Sequence, residues 1–192
     1  MRTLDRIKKL VNNTLEEIIS SGSYAQNVIN NLDLENIKSD PNSYNDSSRD
    51  YANNITYGSN SHNTSSGCYA NNIASGSHSS NTSSGDHASN TSTSTHSSNT
   101  SSGSHTCNIS TGAYACDVSS GDWAIHRVEG KGSVVAAIGR DSMVKAIKGA
   151  WVTLAEYDKD GNVLFVKSGQ VDNVDIKENT WYGLKNGEFT EV

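Results

Sequence analysis

Histidines recur at a fixed interval in the middle of this chain. His78, His87, His96 and His105 lie nine residues apart, and Tyr51, Tyr69, Tyr114 and Trp123 stand at the same phase. A row of imidazoles could hold zinc or nickel. Yet no cysteine or carboxylate recurs at ligand spacing, and tyrosine and tryptophan replace histidine at equivalent places, so stacked rings are the simpler account. No metal is expected. Cys107 and Cys116 also share a phase, but nothing pairs either with a base, so neither reads as a nucleophile. The three cysteines cannot all pair within one chain, and with no export signal reduced thiols are expected. No Ser/His/Asp constellation, paired carboxylates, phosphate loop or dinucleotide motif is present, which argues against an enzyme and against any cofactor. What remains is a candidate partner-binding strip of Tyr69, His78, His87, His96, His105, Tyr114 and Trp123, because aromatic side chains are favoured at interface centres.

The elements that must position this strip are written in the same nine-residue frame. Gly58, Gly67, Gly76 and Gly85 open successive nonads; Ser94 takes the next place, and Gly103, Gly112, Gly121, Gly130 and Gly139 follow. At the sixth place asparagine runs unbroken from Asn27 to Asn108, and Asp117 closes the series. A second period lies beneath. Ala52, Ser61, Ala70, Ser79, Ala88 and Ser97 alternate at the fourth place, and Ile55, Thr64, Ile73 and Thr82 at the seventh, so the true unit is eighteen residues. A flexible tract has no reason to keep that phase. A β-solenoid does, since residues one coil apart stack at about 4.8 Å. The fold class expected is therefore mainly β, a β-solenoid of 18-residue coils, each built of two nonapeptides. Glycine suits a corner with positive φ, and asparagine tolerates the left-handed region while its amide can bond to its counterpart one coil away.

The open ends of such a stack need blocking. Residues 3–20 read as an amphipathic helix, with Leu4, Ile7, Val11, Thr14 and Ile18 at 3-4 spacing. Leu4, Ile7, Val11 and Ile18 would lie over the first coil as a cap, or serve as an oligomerising stripe. After Lys148 the composition becomes that of an ordinary β-domain, with hairpins over 151–167 (turn 158–161) and 181–192 (turn 185–187). The organisation expected is an N-terminal helix over 1–21, a solenoid over 22–147 and a C-terminal β-hairpin domain over 148–192.

Composition narrows the partners. Only 33% of residues are hydrophobic and 19% charged, with a net charge of -6 and a single proline, Pro41, which is neither a Pro-rich linker nor a polyampholyte tail. No apolar run approaches the roughly 18–20 residues of a membrane span. Between Tyr51 and Ser120 there is no lysine or arginine, and the only acids are Asp86 and Asp117. A phosphate groove needs a basic stripe, so the solenoid is not expected to bind nucleic acid directly. A threonine column, Thr64, Thr82 and Thr100, is similar to flat ice-binding arrays, but a small strand position would select the same residue.

Glycine-rich nonads leading into the stretch 149–156 and ending in 181–189 resemble small repeat proteins of phages and prophages of Gram-positive bacteria. The resemblance covers roughly residues 50–192 and implies a phage origin and expression in a bacterial host. The stretch 130–136 is also similar to head repeats of trimeric bacterial adhesins, although those have longer repeats and an exported N-terminus. The expectation is a non-enzymatic protein of the host cytoplasm that docks on a host protein and blocks it, an anti-CRISPR or other anti-defence inhibitor. The alternative is a virion fibre or adhesin-like segment, homo-oligomeric, whose Ser/Thr/Asn surfaces contact glycans.

Overall fold

The computed structural model describes residues 35–192 together with the strands Glu17–Ser20 and Gln26–Ile29. Each nonad folds alike: a bend at the first place, a turn at the second and third, a buried small residue at the fourth, and a four-residue strand over places five to eight. Successive strands alternate between two sheets. Asn53–Thr56, Asn71–Ala74, Ser89–Ser92 and Cys107–Ser110 lie side by side in one; His62–Ser65, Ser80–Ser83, Ser98–Ser101 and Cys116–Ser119 in the other. Pairing is parallel and spaced by one coil, with Asn54 opposite Asn72 and Asn63 opposite Asn81. The fold is thus the expected β-solenoid with an eighteen-residue coil.

The strands form because their alternation is met on both sides. Sixth and eighth places point inward, and fifth and seventh outward. The interior is narrow and polar, and it holds because its amides are satisfied. Asn63 Nδ2 donates to Asn81 Oδ1 at 2.9 Å, and Asn81 Nδ2 to Asn99 Oδ1 at 3.0 Å. In the facing strands Asn54, Asn72, Asn90 and Asn108 form a second asparagine ladder at 2.8–2.9 Å. Fourth-place serines add to this. Ser79 Oγ accepts the Ser61 N–H at 3.2 Å and donates to the Gly58 carbonyl at 3.1 Å, while Ala52, Ala70 and Ala88 fill the opposite corner.

The corners differ from the sequence expectation. The first-place glycines are needed for closeness, not for positive φ. A Cβ on Gly76 would lie 2.0 Å from the Gly58 carbonyl oxygen, and one on Gly85 2.0 Å from that of Gly67. Left-handed backbone falls instead at the third place, on Tyr69 (φ 59°), His78 (59°), His87 (58°), His96 (57°), His105 (56°), Tyr114 (59°) and Trp123 (55°). There the N–H of His87 donates to the Ser104 carbonyl of the next coil at 2.9 Å, one of a row of such bonds that fixes the turn. The asparagine ladders lie in the strands, where φ is ordinary, so there only the amide is used; the left-handed tolerance is used instead at the third place, by Asn42 and Asn60.

The ends hold a second correction. No helix is found among the described residues. Glu17–Ser20, the end of the expected helix, is a strand paired in parallel with Glu35–Lys38, Ile18 opposite Asn36. It occupies places five to eight of the nonad frame, so a waiting sheet edge there outweighs the local helical spacing. Leu4, Ile7 and Val11 lie outside the described residues. At the other end both expected hairpins form, and each extends a sheet. Trp151–Tyr157 pairs in parallel with Val134–Ala137 and antiparallel with Val163–Gln170. Trp181–Lys185 pairs antiparallel with Met143–Ala146 and with Glu188–Glu191, through a turn at Asn186 (φ 54°) and Gly187 (φ 72°). Here the core turns apolar, built from Val128, Val135, Val144, Val152, Leu154, Val171, Ile176 and Tyr182.

Candidate functional site

Because the third place recurs at each of the two turns of a coil, the expected strip becomes two rows on opposite edges. Tyr51, Tyr69, His87, His105 and Trp123 stack along one edge at 4.7–5.1 Å between ring centroids, with interplanar angles of 3–22°. His78, His96 and Tyr114 stack along the other at 4.9 and 5.1 Å. The pairs His78–His96 and His87–His105 are those the eighteen-residue coil demands. All of these rings are exposed, from 44% for Trp123 to 61% for Tyr114 among the tyrosines and tryptophan. The left-handed backbone aims each ring outward, and near-parallel stacking holds it without a hydrophobic core behind it.

Charge distinguishes the two edges, a feature the sequence reading missed. Beside the longer row, at the second place, stand Asp50, Asp86 and Asp122. Each accepts the backbone N–H of the residue one coil later at 2.8 Å, from Cys68, Ser104 and Arg140 respectively. Beside the shorter row the same place holds Ser59, Ser77, Thr95, Ala113 and Lys131, and on the first edge Arg140 follows Asp122. Alongside its rings, one edge therefore carries three carboxylates and the other none. The recurrence of aspartate at every second coil, at Asp50, Asp86 and Asp122 with Cys68 and Ser104 between them, was the available signal.

Among the described residues no group of three or more His, Cys, Asp or Glu could hold a metal ion. Cys107 and Cys116 fall in opposite sheets. Burial pushes both thiols up, and any negative charge on Asp117 would add to that shift, which is the reverse of what a nucleophile needs. Thr64, Thr82 and Thr100 form an exposed column on the outer face of one sheet. Beyond the last coil, a polar cleft of about 400 Å³ runs past Lys167, Asp172, Asp175 and Phe189. Its lysine is engaged by Glu188.

Compared with known proteins, the chain matches no family model, no curated protein and no solved structure.

Proposed function

We propose that this protein is a non-enzymatic binding scaffold that docks on a basic protein surface through the edge carrying Tyr51, Tyr69, His87, His105 and Trp123. The observation that carries the reading is the pairing of that ring row with the carboxylates of Asp50, Asp86 and Asp122. Flat rings attract guanidinium and ammonium groups, and flanking carboxylates steer them. On the resemblance to phage repeat proteins, the partner proposed is a bacterial host protein, with a CRISPR or other defence effector as the target class and the host cytoplasm as the proposed place of action.

The test exploits asparagine, which already occupies the left-handed third place at Asn42 (φ 59°) and Asn60 (φ 56°). A variant carrying Tyr69→Asn, His87→Asn and His105→Asn keeps the backbone conformation and loses the rings. Expressed in cells with active CRISPR interference, the native chain should lower interference and co-purify with the effector. The variant should remain folded by circular dichroism and do neither. Equal behaviour of the two chains, or no effect of either, would remove the proposal.

One feature favours the fibre reading instead. The outermost strand of one sheet, Val163–Gln170, exposes Val163, Leu164, Phe165 and Val166, an edge suited to joining copies. Detection of the chain in purified virions by mass spectrometry would decide for it.

A further inference from the structure

The asparagine series ends in a residue of a different kind, and its geometry assigns that residue a proton. Every sixth-place asparagine from Asn45 to Asn108 donates from Nδ2 to the carbonyl oxygen ten residues on. Examples are Asn63 to Ile73 at 2.8 Å, Asn81 to Thr91 at 2.8 Å, Asn99 to Ile109 at 3.0 Å and Asn108 to Val118 at 3.4 Å. At the next rung of this frame stands Asp117, and the equivalent carbonyl is that of Arg127. Asp117 is wholly buried. Its Oδ1 accepts the Ser110 hydroxyl at 2.7 Å, a reversal of the usual pattern in which the serine seven residues back accepts from the amide, as Ser65 does from Asn72 at 2.8 Å. Its Oδ2 has no partner, and a carboxylate has no hydrogen with which to make the bond that the amide nitrogen makes to the equivalent carbonyl in the other rungs. An ionised carboxylate would set one acceptor against another in a site closed to water.

We propose that Asp117 is a protonated rung: a neutral carboxylic acid whose hydroxyl takes over the amide's bond to the Arg127 carbonyl, so that one proton joins the laddered coils to the apolar end of the core. Loss of that proton to solvent leaves a buried carboxylate facing the carbonyl and loosens the junction. The other titratable groups around it are few. Its own strand carries Cys116, and the strands across the coil carry Cys107 and the pair His126 and Arg127; Ser98–Ser101 and Val134–Ala137, which flank it in the sheet, carry none. Burial raises the Asp117 carboxyl to about 7 although bonds from Ser110 and Asn99 oppose the shift. His126 answers it one nonad later. Burial holds this imidazole down at about 3, neutral, with one ring nitrogen 2.7 Å from Ser119 Oγ.

The two groups act on stability with opposite signs. The raised Asp117 contributes stability that is complete below the ordinary carboxylate range and is lost as pH climbs to about 7. The depressed His126 contributes stability present above the ordinary imidazole range and lost as pH falls to about 3. Urea unfolding of the native chain, Asp117→Asn and His126→Asn between about pH 4 and pH 8 separates them. Relative to the native chain, Asp117→Asn should gain stability with rising pH, by about tenfold in the unfolding constant per pH unit up to about 7. His126→Asn should lose it at a similar rate up to about 6.5. The ¹³C shift of the Asp117 carboxyl in the native chain gives a reading that needs no variant, and should titrate near neutrality. A carboxyl already ionised at about pH 5, or an Asp117→Asn profile parallel to the native one, would overturn the proposal.

Discussion

The asparagine side chains carry a share of the stability that apolar side chains carry in most proteins. Asn81 shows why. Its Oδ1 accepts from Asn63 at 2.9 Å and its Nδ2 donates both to Asn99 and to the Thr91 carbonyl. Asn81→Ala would leave two buried amides and a carbonyl each short of a partner. With about 1–3 kcal/mol for each unsatisfied group, part of it recovered by relaxation, we expect a loss of about 2–4 kcal/mol in chemical denaturation. This much was legible beforehand, because an amide recurring at every ninth residue has few other uses. The third-place rings were legible as stacks for the same reason. The left-handed backbone beneath them was not, since bulky aromatics avoid that region elsewhere and only the N–H bond to the next coil holds them there. Asp117 was visible as the end of a series, but its complete burial and its unpartnered oxygen emerge only from the packed coils.

At the level of strands, the two sheets finish differently. One closes on Glu188–Glu191, where Glu188 and Glu191 are engaged by Lys167 and Lys177. The other closes on Val163–Gln170, with Leu164 50% and Val166 61% exposed. Charges protect a sheet edge against pairing with another chain, and exposed apolar residues invite it. The double substitution Leu164→Lys and Val166→Lys should therefore shift the protein toward smaller species in size-exclusion chromatography at high concentration, with its circular dichroism unchanged. The strand pattern itself was readable in 151–167 and 181–192, where alternation and turn residues coincide. What could not be read was that these hairpins continue the solenoid sheets, because strand partners lie far apart in sequence and composition changes at Lys148. The segment 17–20 misled for a related reason: its spacing fits a helix locally, while the rung it completes belongs to the whole stack.

Over the coils of the solenoid, a single geometric rule places every feature. A residue's position modulo eighteen decides which sheet it joins and which edge it faces, while its position modulo nine decides only whether it points inward. The chain thus has a reading frame with two levels. Deleting eighteen residues within the uniform repeats would shorten the rod by one strand spacing and leave both faces in order. Deleting nine would leave the glycines and asparagines in step, so the stack could still close, yet every ring beyond the cut would cross to the far side. With the cut just after Tyr69, that ring would meet His96 in place of His87, and the carboxylates would be divided between the two borders. Length can vary among such molecules in whole coils without disturbing what a partner meets, whereas a half-coil change would exchange the two surfaces without unfolding either.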